Sequence, residues 1–229
     1  MSKRFSKEEL QHDALIDFYT KAFSIYHQYK KLIIWGGSAF VLIVAGLLGY
    51  FYYTQSQEQK AQRLLGVAEQ HFRQGDYRVA LDGSDSTLTI GFAQIADNFP
   101  FTDASNLATY YSAVCEYKLG NPEKSLDYIK DYDVPDGILG VGPISLHATL
   151  LDEVGKHEEA ANMYIKASEW DENDSTTPYN LYQAASSYFQ AKNYKQSRRL
   201  VEQILNQYAD SDQAADAEKL KGRLLTASL

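Results

Sequence analysis

Sorted into apolar and polar positions, the chain falls into three regimes. The middle one is the plainest: Leu32 to Tyr53, LIIWGGSAFVLIVAGLLGYFYY, is 22 residues without a charge. Ahead of it, Leu15, Phe18, Tyr19, Ala22, Tyr26 and Tyr29 recur at helical spacing, with Asp17, Lys21 and Gln28 between them. That pattern predicts an amphipathic helix of about five turns. Beyond Tyr53 the chain turns polar (TQSQEQKAQ) and then carries helical periodicity almost to its end. The expected fold is all-α, with an amphipathic segment at 1–31, a transmembrane helix at 32–53 and a helical domain at 54–229.

An α-helix rises about 1.5 Å per residue, so the uncharged stretch reaches across a hydrocarbon core of roughly 30 Å. Its flanks suit that environment. Lys30 and Lys31 precede it and Trp35 lies just inside, while Tyr50, Phe51, Tyr52 and Tyr53 crowd the other end, where amphipathic rings prefer the headgroup layer. The competing readings fit less well. A buried core helix would be shorter or broken by polar residues. A cleaved signal peptide has a shorter apolar run ending in small residues. Ala45 and Gly49 form a small-xxx-small pair, a pattern common by chance in membrane spans. Six cations before the span (Lys3, Arg4, Lys7, Lys21, Lys30, Lys31), tempered by Glu8, Glu9, Asp13 and Asp17, place the preceding segment in the cytoplasm and the helical domain on the far side. The amphipathic segment would rest on the membrane surface or dock on a partner.

The helical domain reads as a repeat. Turn signals stand at Gly75-Asp76-Tyr77, Gly120-Asn121-Pro122 and Gly155-Lys156-His157, and Lys192-Asn193-Tyr194 has the same shape without glycine. Their spacings are 45, 35 and 37 residues, against about 34 for tetratricopeptide repeats. Seven residues before each turn stands alanine (Ala68, Ala113, Ala148, Ala185). Five residues after its first position stands a small residue (Ala80, Ser125, Ala160, Ser197), and two after stands a ring (Tyr77, Pro122, His157, Tyr194). Small residues at two matched positions predict the crossing point of a helical hairpin.

Four such hairpins are expected, at about Gln55–Pro100, Asp103–Tyr132, Ile144–Trp170 and Pro178–Tyr208. The second helix of the first is interrupted by Asp82-Gly83-Ser84-Asp85-Ser86, and helical patterning resumes at Ile90. Residues 133–143 (DVPDGILGVGP) predict a loop, and Ser175 or Thr176 a helix cap before Pro178. Gln213–Leu225 suits a terminal capping helix. The array is thus a tetratricopeptide-like α-solenoid. One position fits poorly. Leu151 and Tyr188 are bulky where the first helix needs bulk, but His71 and Glu116 are not apolar. Glu116 predicts a bent or solvent-exposed turn, or a functional surface.

Composition narrows the chemistry. The formal net charge is −8, and residues 1–31 contribute +2, so the remainder is markedly acidic. Nucleic-acid binding, which needs clustered cations, is not expected. The lone cysteine, Cys115, forbids an internal disulfide. There is no phosphate-cradling GxxxxGK, no GxGxxG, no HExxH and no CxxC. The histidines (His12, His27, His71, His147, His157) are scattered. No catalytic, metal or cofactor residues and no small-molecule substrate are expected. Protein binding is the natural use of such an array, because stacked hairpins present an extended concave face. The candidate contacts on the first helices are Tyr110, Tyr117, Asp152, Tyr182 and Phe189; their alternative role is packing against the next repeat.

Taken together, YKKLIIWGGSAFVLIVAGLLGYFYY, GFAQIADNFPFTDASNLATYYSAVCEYKLGN and GKHEEAANMYIKAS resemble the YfgM-like proteins, ancillary subunits of the SecYEG translocon, with an aromatic N-terminal segment like that of Bacteroidota-type members. The resemblance covers nearly the whole chain. Gly91–Asn121 is its most specific part, and the third piece is shared by tetratricopeptide repeats at large. Ser125 and Ser197, where alanine is usual, depart mildly. The resemblance implies a bacterial inner-membrane protein with a periplasmic repeat domain. Its implied partners are the SecYEG translocon and a periplasmic chaperone or peptidyl-prolyl isomerase, with membrane lipid around the span; it carries over no catalytic residue. The expected function is a scaffold or chaperone-like accessory at the secretion channel. An envelope-assembly or cell-division scaffold is the alternative, and an enzyme built on the loop Asp133–Pro143 the remotest.

Overall fold

The computed structural model of the protein describes residues 14–86 and 88–227. The cations Lys3, Arg4 and Lys7, the acids Glu8, Glu9 and Asp13, and His12 lie outside the described residues. Among the described residues every regular element is a helix: α1 (Ala14–Gln74), α2 (Tyr77–Asp82), α3 (Phe92–Asn98), α4 (Asp103–Lys118), α5 (Pro122–Lys130), α6 (Ile138–Glu153), α7 (His157–Trp170), α8 (Thr176–Gln190), α9 (Tyr194–Gln207) and α10 (Ala214–Ala227). The only extended pairing described is an isolated bridge between Ser84 and Thr89. The chain forms two compact units, Met1–Ser56 and Gln57–Leu229.

In the first unit α1 carries the uncharged stretch. The helix is long and apolar enough to cross a membrane, and no residue of its most apolar window is buried by protein. Leu32, Phe40, Leu42, Leu48 and Phe51 are each more than 60% exposed. Such a continuous apolar surface has no counterpart on an ordinary water-soluble helix.

In the second unit one turn recurs four times. Gly75 (φ 84°), Gly120 (81°), Gly155 (79°) and Lys192 (60°) occupy the left-handed region. Each donates its N–H to the carbonyl three residues back: Phe72, Tyr117, Asp152 and Phe189. The following residue donates to the carbonyl five back: His71, Glu116, Leu151 and Tyr188, all at 2.8–3.0 Å. This is the Schellman closure, which satisfies carbonyls orphaned at a helix end. The expected ring residues, Tyr77, Pro122, His157 and Tyr194, are the first residues of α2, α5, α7 and α9. All eight matched small residues, from Ala68 and Ala80 to Ala185 and Ser197, have no exposed surface.

The serines do more than substitute for alanine. Ser125 Oγ donates to Ala113 O at 2.6 Å, and Ser197 Oγ to Ala185 O at 2.7 Å. Each hydroxyl bonds the backbone of the helix it crosses, directly at the matched alanine. A small polar group satisfied in this way costs little to bury.

Three core clusters follow the helix pairs. One joins Ala61, Leu65 and Ala68 to Leu81, Phe92, Ile95 and Ala108. A second gathers Ala113, Leu126, Ile129, Leu150 and Leu151. The third and largest runs from Ala148 and Tyr164 through Leu181 and Leu200 to Leu220 and Leu224 of α10. α4 is capped twice. Thr102 accepts from Ser105 N, and Glu58 Oε2 accepts from Asp103 N at 2.8 Å, a carboxylate at the positive end of a helix.

Several expectations need correction. Residues 133–143 are not all loop, since α6 already begins at Ile138. Gly140 tolerates no side chain there: a Cβ would stand 2.2 Å from both Pro135 O and Trp170 Nε1. Trp170 Nε1 donates to Pro135 O, closing the loop beneath that glycine. Pro143 has no N–H to offer the Leu139 carbonyl four residues back, and that loss falls in the first turn of α6, at a residue that is 74% exposed. Ser175 occupies the N-cap position of α8, as expected, but its side chain makes no capping bond; the side chain that accepts from the N–H of both Ser175 and Thr176 is Asn173, through its Oδ1. Glu116 is buried at 5% exposure, so the turn it marks is not solvent-exposed.

The turns generate a paired prediction. Gly155 has open space around its Cα, so Gly155→Ala tests φ alone. It should destabilise the second unit by about 1–2 kcal/mol. Lys192→Gly should shift stability the other way, by up to about 1 kcal/mol. Urea unfolding followed by circular dichroism measures both.

Candidate functional site

The candidate contact residues are half-buried, and the structure divides them among its cores. Tyr110 and Tyr117 pack in the central cluster; Tyr110 lies 5.2 Å from the Tyr132 ring and 6.0 Å from that of Tyr111. Burial raises the Tyr110 phenol above its ordinary pKa. Tyr182 and Phe189 pack against the largest cluster, with Arg223 stacked 4.4 Å from the Phe189 ring. Asp152 accepts from the Ser187 hydroxyl, and its other oxygen lies 2.9 Å from His157 Nδ1. Its carboxylate thus ties α6 to α7 and α8.

Nearby polar groups serve the same end. Tyr188 OH donates to Asn162 Oδ1 at 2.6 Å, and Thr149 Oγ1 lies 2.8 Å from Tyr164 OH. Burial pushes the Tyr164 phenol up to about 12, with the Thr149 hydrogen bond opposing. Desolvation, followed by the charges of Glu116 and Asp82, pushes the Cys115 thiol up to about 12, leaving it an unreactive core residue. The Glu116 carboxylate accepts from Asn121 Nδ2 at 2.7 Å, so it braces its own turn. No group of His, Cys, Asp and Glu among the described residues can hold a metal ion.

A groove lies elsewhere, where the starts of α6 and α8 meet the turn before α10. It encloses about 780 Å³. Ile138, Val141 and Tyr179 give it an apolar floor; Ile138 is 53% and Tyr179 43% exposed. Asp174, Asp210 and Asp212 line its rim, and no Lys, Arg or His does. None of these three aspartates has an ion-pair partner among the described residues. The wall is fixed by Asn180, itself 1% exposed: Ser145 Oγ donates to its Oδ1 at 2.7 Å, and its Nδ2 donates to Thr176 O at 2.8 Å. The buried amide locks α6 to α8. The arrangement suits recognition of an apolar group with a cation beside it.

The groove escapes sequence reading because it draws on three separate segments. The only trace is the even spacing of helix starts at Ile138, Thr176 and Ala214.

His147, on α6, gives this half of the domain a pH response. Desolvation, followed by the charges of Lys130 and Lys166, lowers its pKa against a weaker opposing pull from Glu159. The unfolded chain therefore binds this proton more readily than the folded one. Stability should rise with pH through the window below the ordinary histidine value of about 6.5, and level off above it. His147→Gln should flatten part of that slope in unfolding measured between about pH 5 and 7.5.

Comparison of the chain with protein-family models, with curated proteins and with solved structures finds no match.

Proposed function

We propose that this chain is a single-pass membrane protein whose helical domain is a tetratricopeptide-like solenoid that binds other proteins. The observation that carries this reading is the fourfold turn, identical in hydrogen bonding, with a fully buried small residue at the same offset on each side of every copy. An array of this kind is built to present surface rather than to perform chemistry. The exposed apolar stretch of α1 supplies the anchor: a protein-free helix of that length and composition is stable in lipid and not in water. The positive flank favours the cytoplasm for the segment before the span and the far side for the domain, and the resemblance to YfgM-like proteins makes that far side the periplasm of a bacterial inner membrane.

Within this reading the chain is a scaffold or chaperone-like accessory of the Sec translocation channel. The span associates with the channel, and the domain engages a periplasmic chaperone, a peptidyl-prolyl isomerase or an emerging exported segment. The resemblance to YfgM-like proteins supports the partner, and the groove supports the mode of contact. Tyr110, Tyr117, Asp152, Tyr182 and Phe189 are largely occupied by packing, so contact falls on the groove floor at Ile138, Val141 and Tyr179. An acidic rim favours segments that carry Lys or Arg beside apolar residues.

Two outcomes are expected. Purified from native membranes in mild detergent, the protein should bring down channel subunits or periplasmic chaperones. Recovery of cell-division or outer-membrane assembly proteins in their place would move the assignment to an envelope scaffold. In a peptide-binding titration, Asp174→Asn, Asp210→Asn and Asp212→Asn combined should weaken binding of a Lys-containing apolar peptide by about three- to tenfold at low salt. The unfolding midpoint should stay unchanged, and a peptide with Glu in place of Lys should not respond.

A further inference from the structure

α1 is broken once, at Tyr29, whose φ of −111° and ψ of 16° leave the helical region. No proline or glycine lies between Phe23 and Trp35 to cause it. The break falls where the sequence changes character. Before it, Asp17, Thr20, Lys21, Ser24, His27 and Gln28 gather on about a third of the helix circumference. Phe18, Tyr19, Ala22, Phe23, Ile25 and Tyr26 cover the rest. After it, from Leu32, the helix is apolar all round.

Among the described residues the apolar side is exposed. Phe18 is 73% exposed, Tyr19 67%, Phe23 53%, Ile25 54% and Tyr26 41%. Its rings touch only each other and His27, with Tyr19 and Phe23 stacked at 6.1 Å. From the geometry we infer that residues 16–28 form a helix lying in the plane of the membrane, its aromatic side sunk at the headgroup boundary, with Tyr29 as the elbow into the span. This inference rests on the transmembrane reading of Leu32–Tyr53.

The occupant follows from position. Lys30 and Lys31 sit at the headgroup level if the span begins at Leu32, so the residues just before them are held at that surface. A one-sided helix continuing straight along the membrane normal would leave its rings in water. Turned at Tyr29, the same rings reach the boundary that tyrosine and phenylalanine favour, and the polar third faces solvent. Charge contributes little: between residues 16 and 31 only Lys21, Lys30 and Lys31 oppose Asp17. Aromatic burial is the main term, so attachment should withstand salt that screens charge to about 3 Å.

The test uses the full chain in lipid vesicles, with single cysteines carrying nitroxide labels. Cys115 has no exposed surface and remains unlabelled, which the unsubstituted chain verifies. Labels are placed by Phe18→Cys, Ala22→Cys and Tyr26→Cys on the apolar side and by Asp17→Cys, Lys21→Cys, Ser24→Cys and Gln28→Cys on the polar side; Val41→Cys and Leu42→Cys report on the span. Collision with oxygen relative to a water-soluble nickel chelate gives depth. The ratio at 18, 22 and 26 should be severalfold above that at 17, 21, 24 and 28. It should give one common shallow depth, and should persist in 1 M salt. A depth changing by about 6 Å at each four-residue step would show a straight helix and overturn the elbow. Wholly aqueous values at 18, 22 and 26, or loss of the pattern in salt, would overturn the aromatic attachment while 41 and 42 still report lipid. Aqueous values at 41 and 42 would bring down the span itself, and the inference with it.

Discussion

The architecture of the second unit depends on how closely two helices can approach at one crossing. Helix axes lie about 8–10 Å apart according to the side chains between them, and a small pair permits the near limit. Ala113 with Ser125 and Ala185 with Ser197 supply that pair in direct hydrogen-bonded contact, and Ala68, Ala80, Ala148 and Ala160 stand at the same matched positions, also without exposed surface. Close approach suits a turn of so few residues, and the Schellman hydrogen bonds, local to the end of each first helix, set the direction in which the chain leaves it. Where serine replaces alanine, its hydroxyl bonds the facing alanine carbonyl, so the crossing gains a directional contact without gaining volume.

Regular crossings propagate. α7 packs on both α6 and α8, and α8 on both α7 and α9, so each helix pair is positioned by the one before it. Polar ties fix the rotation that packing alone leaves free. The Asp152 carboxylate reaches from α6 to Ser187 of α8, and Asn180 answers Ser145 in the other direction. Both ties join α6 to α8. The starts of these two helices are thereby held together, α10 packs on α8 and α9, and the groove is the space left between them and the turn before α10.

These relations explain what the sequence discloses. The hairpins are legible because their signals are local: a residue tolerant of positive φ, a small residue at a fixed offset on each side, a ring at the first position of the next helix. The start of α6 is not legible, because Gly140 and Pro143 read as helix breakers. One is required by the approach of Trp170, and the other withholds a hydrogen bond only from Leu139, an exposed residue in the first turn of the helix. Glu116 misleads in the opposite sense: a carboxylate suggests exposure, yet Asn121 five residues on satisfies it inside. The break at Tyr29 has no residue signature, since it comes from backbone angles and not from a breaker. The groove is hidden for a third reason. Ile138, Tyr179 and Asp212 are each ordinary, and only the stacking of helices makes them neighbours.

Exposure itself sorts the two units by solvent. An apolar side chain left in water forgoes about 25 cal/mol for every Å² that burial would cover. The second unit places its Leu, Ile and Phe in three contiguous clusters and leaves few large apolar groups outside them, notably Leu88, Phe101, Leu139, Tyr179 and Ile138. The first unit buries none of its most apolar stretch. The same amino-acid types thus follow opposite rules within one chain, as a helix long and apolar enough to cross a membrane beside a water-facing domain would require. Ile138 and Tyr179 then acquire a meaning that isolated surface residues lack. Among the described residues, two of the seven large apolar groups that this unit leaves exposed line one groove together with three aspartates, and apolar surface grouped in that way is what the proposed binding would draw on.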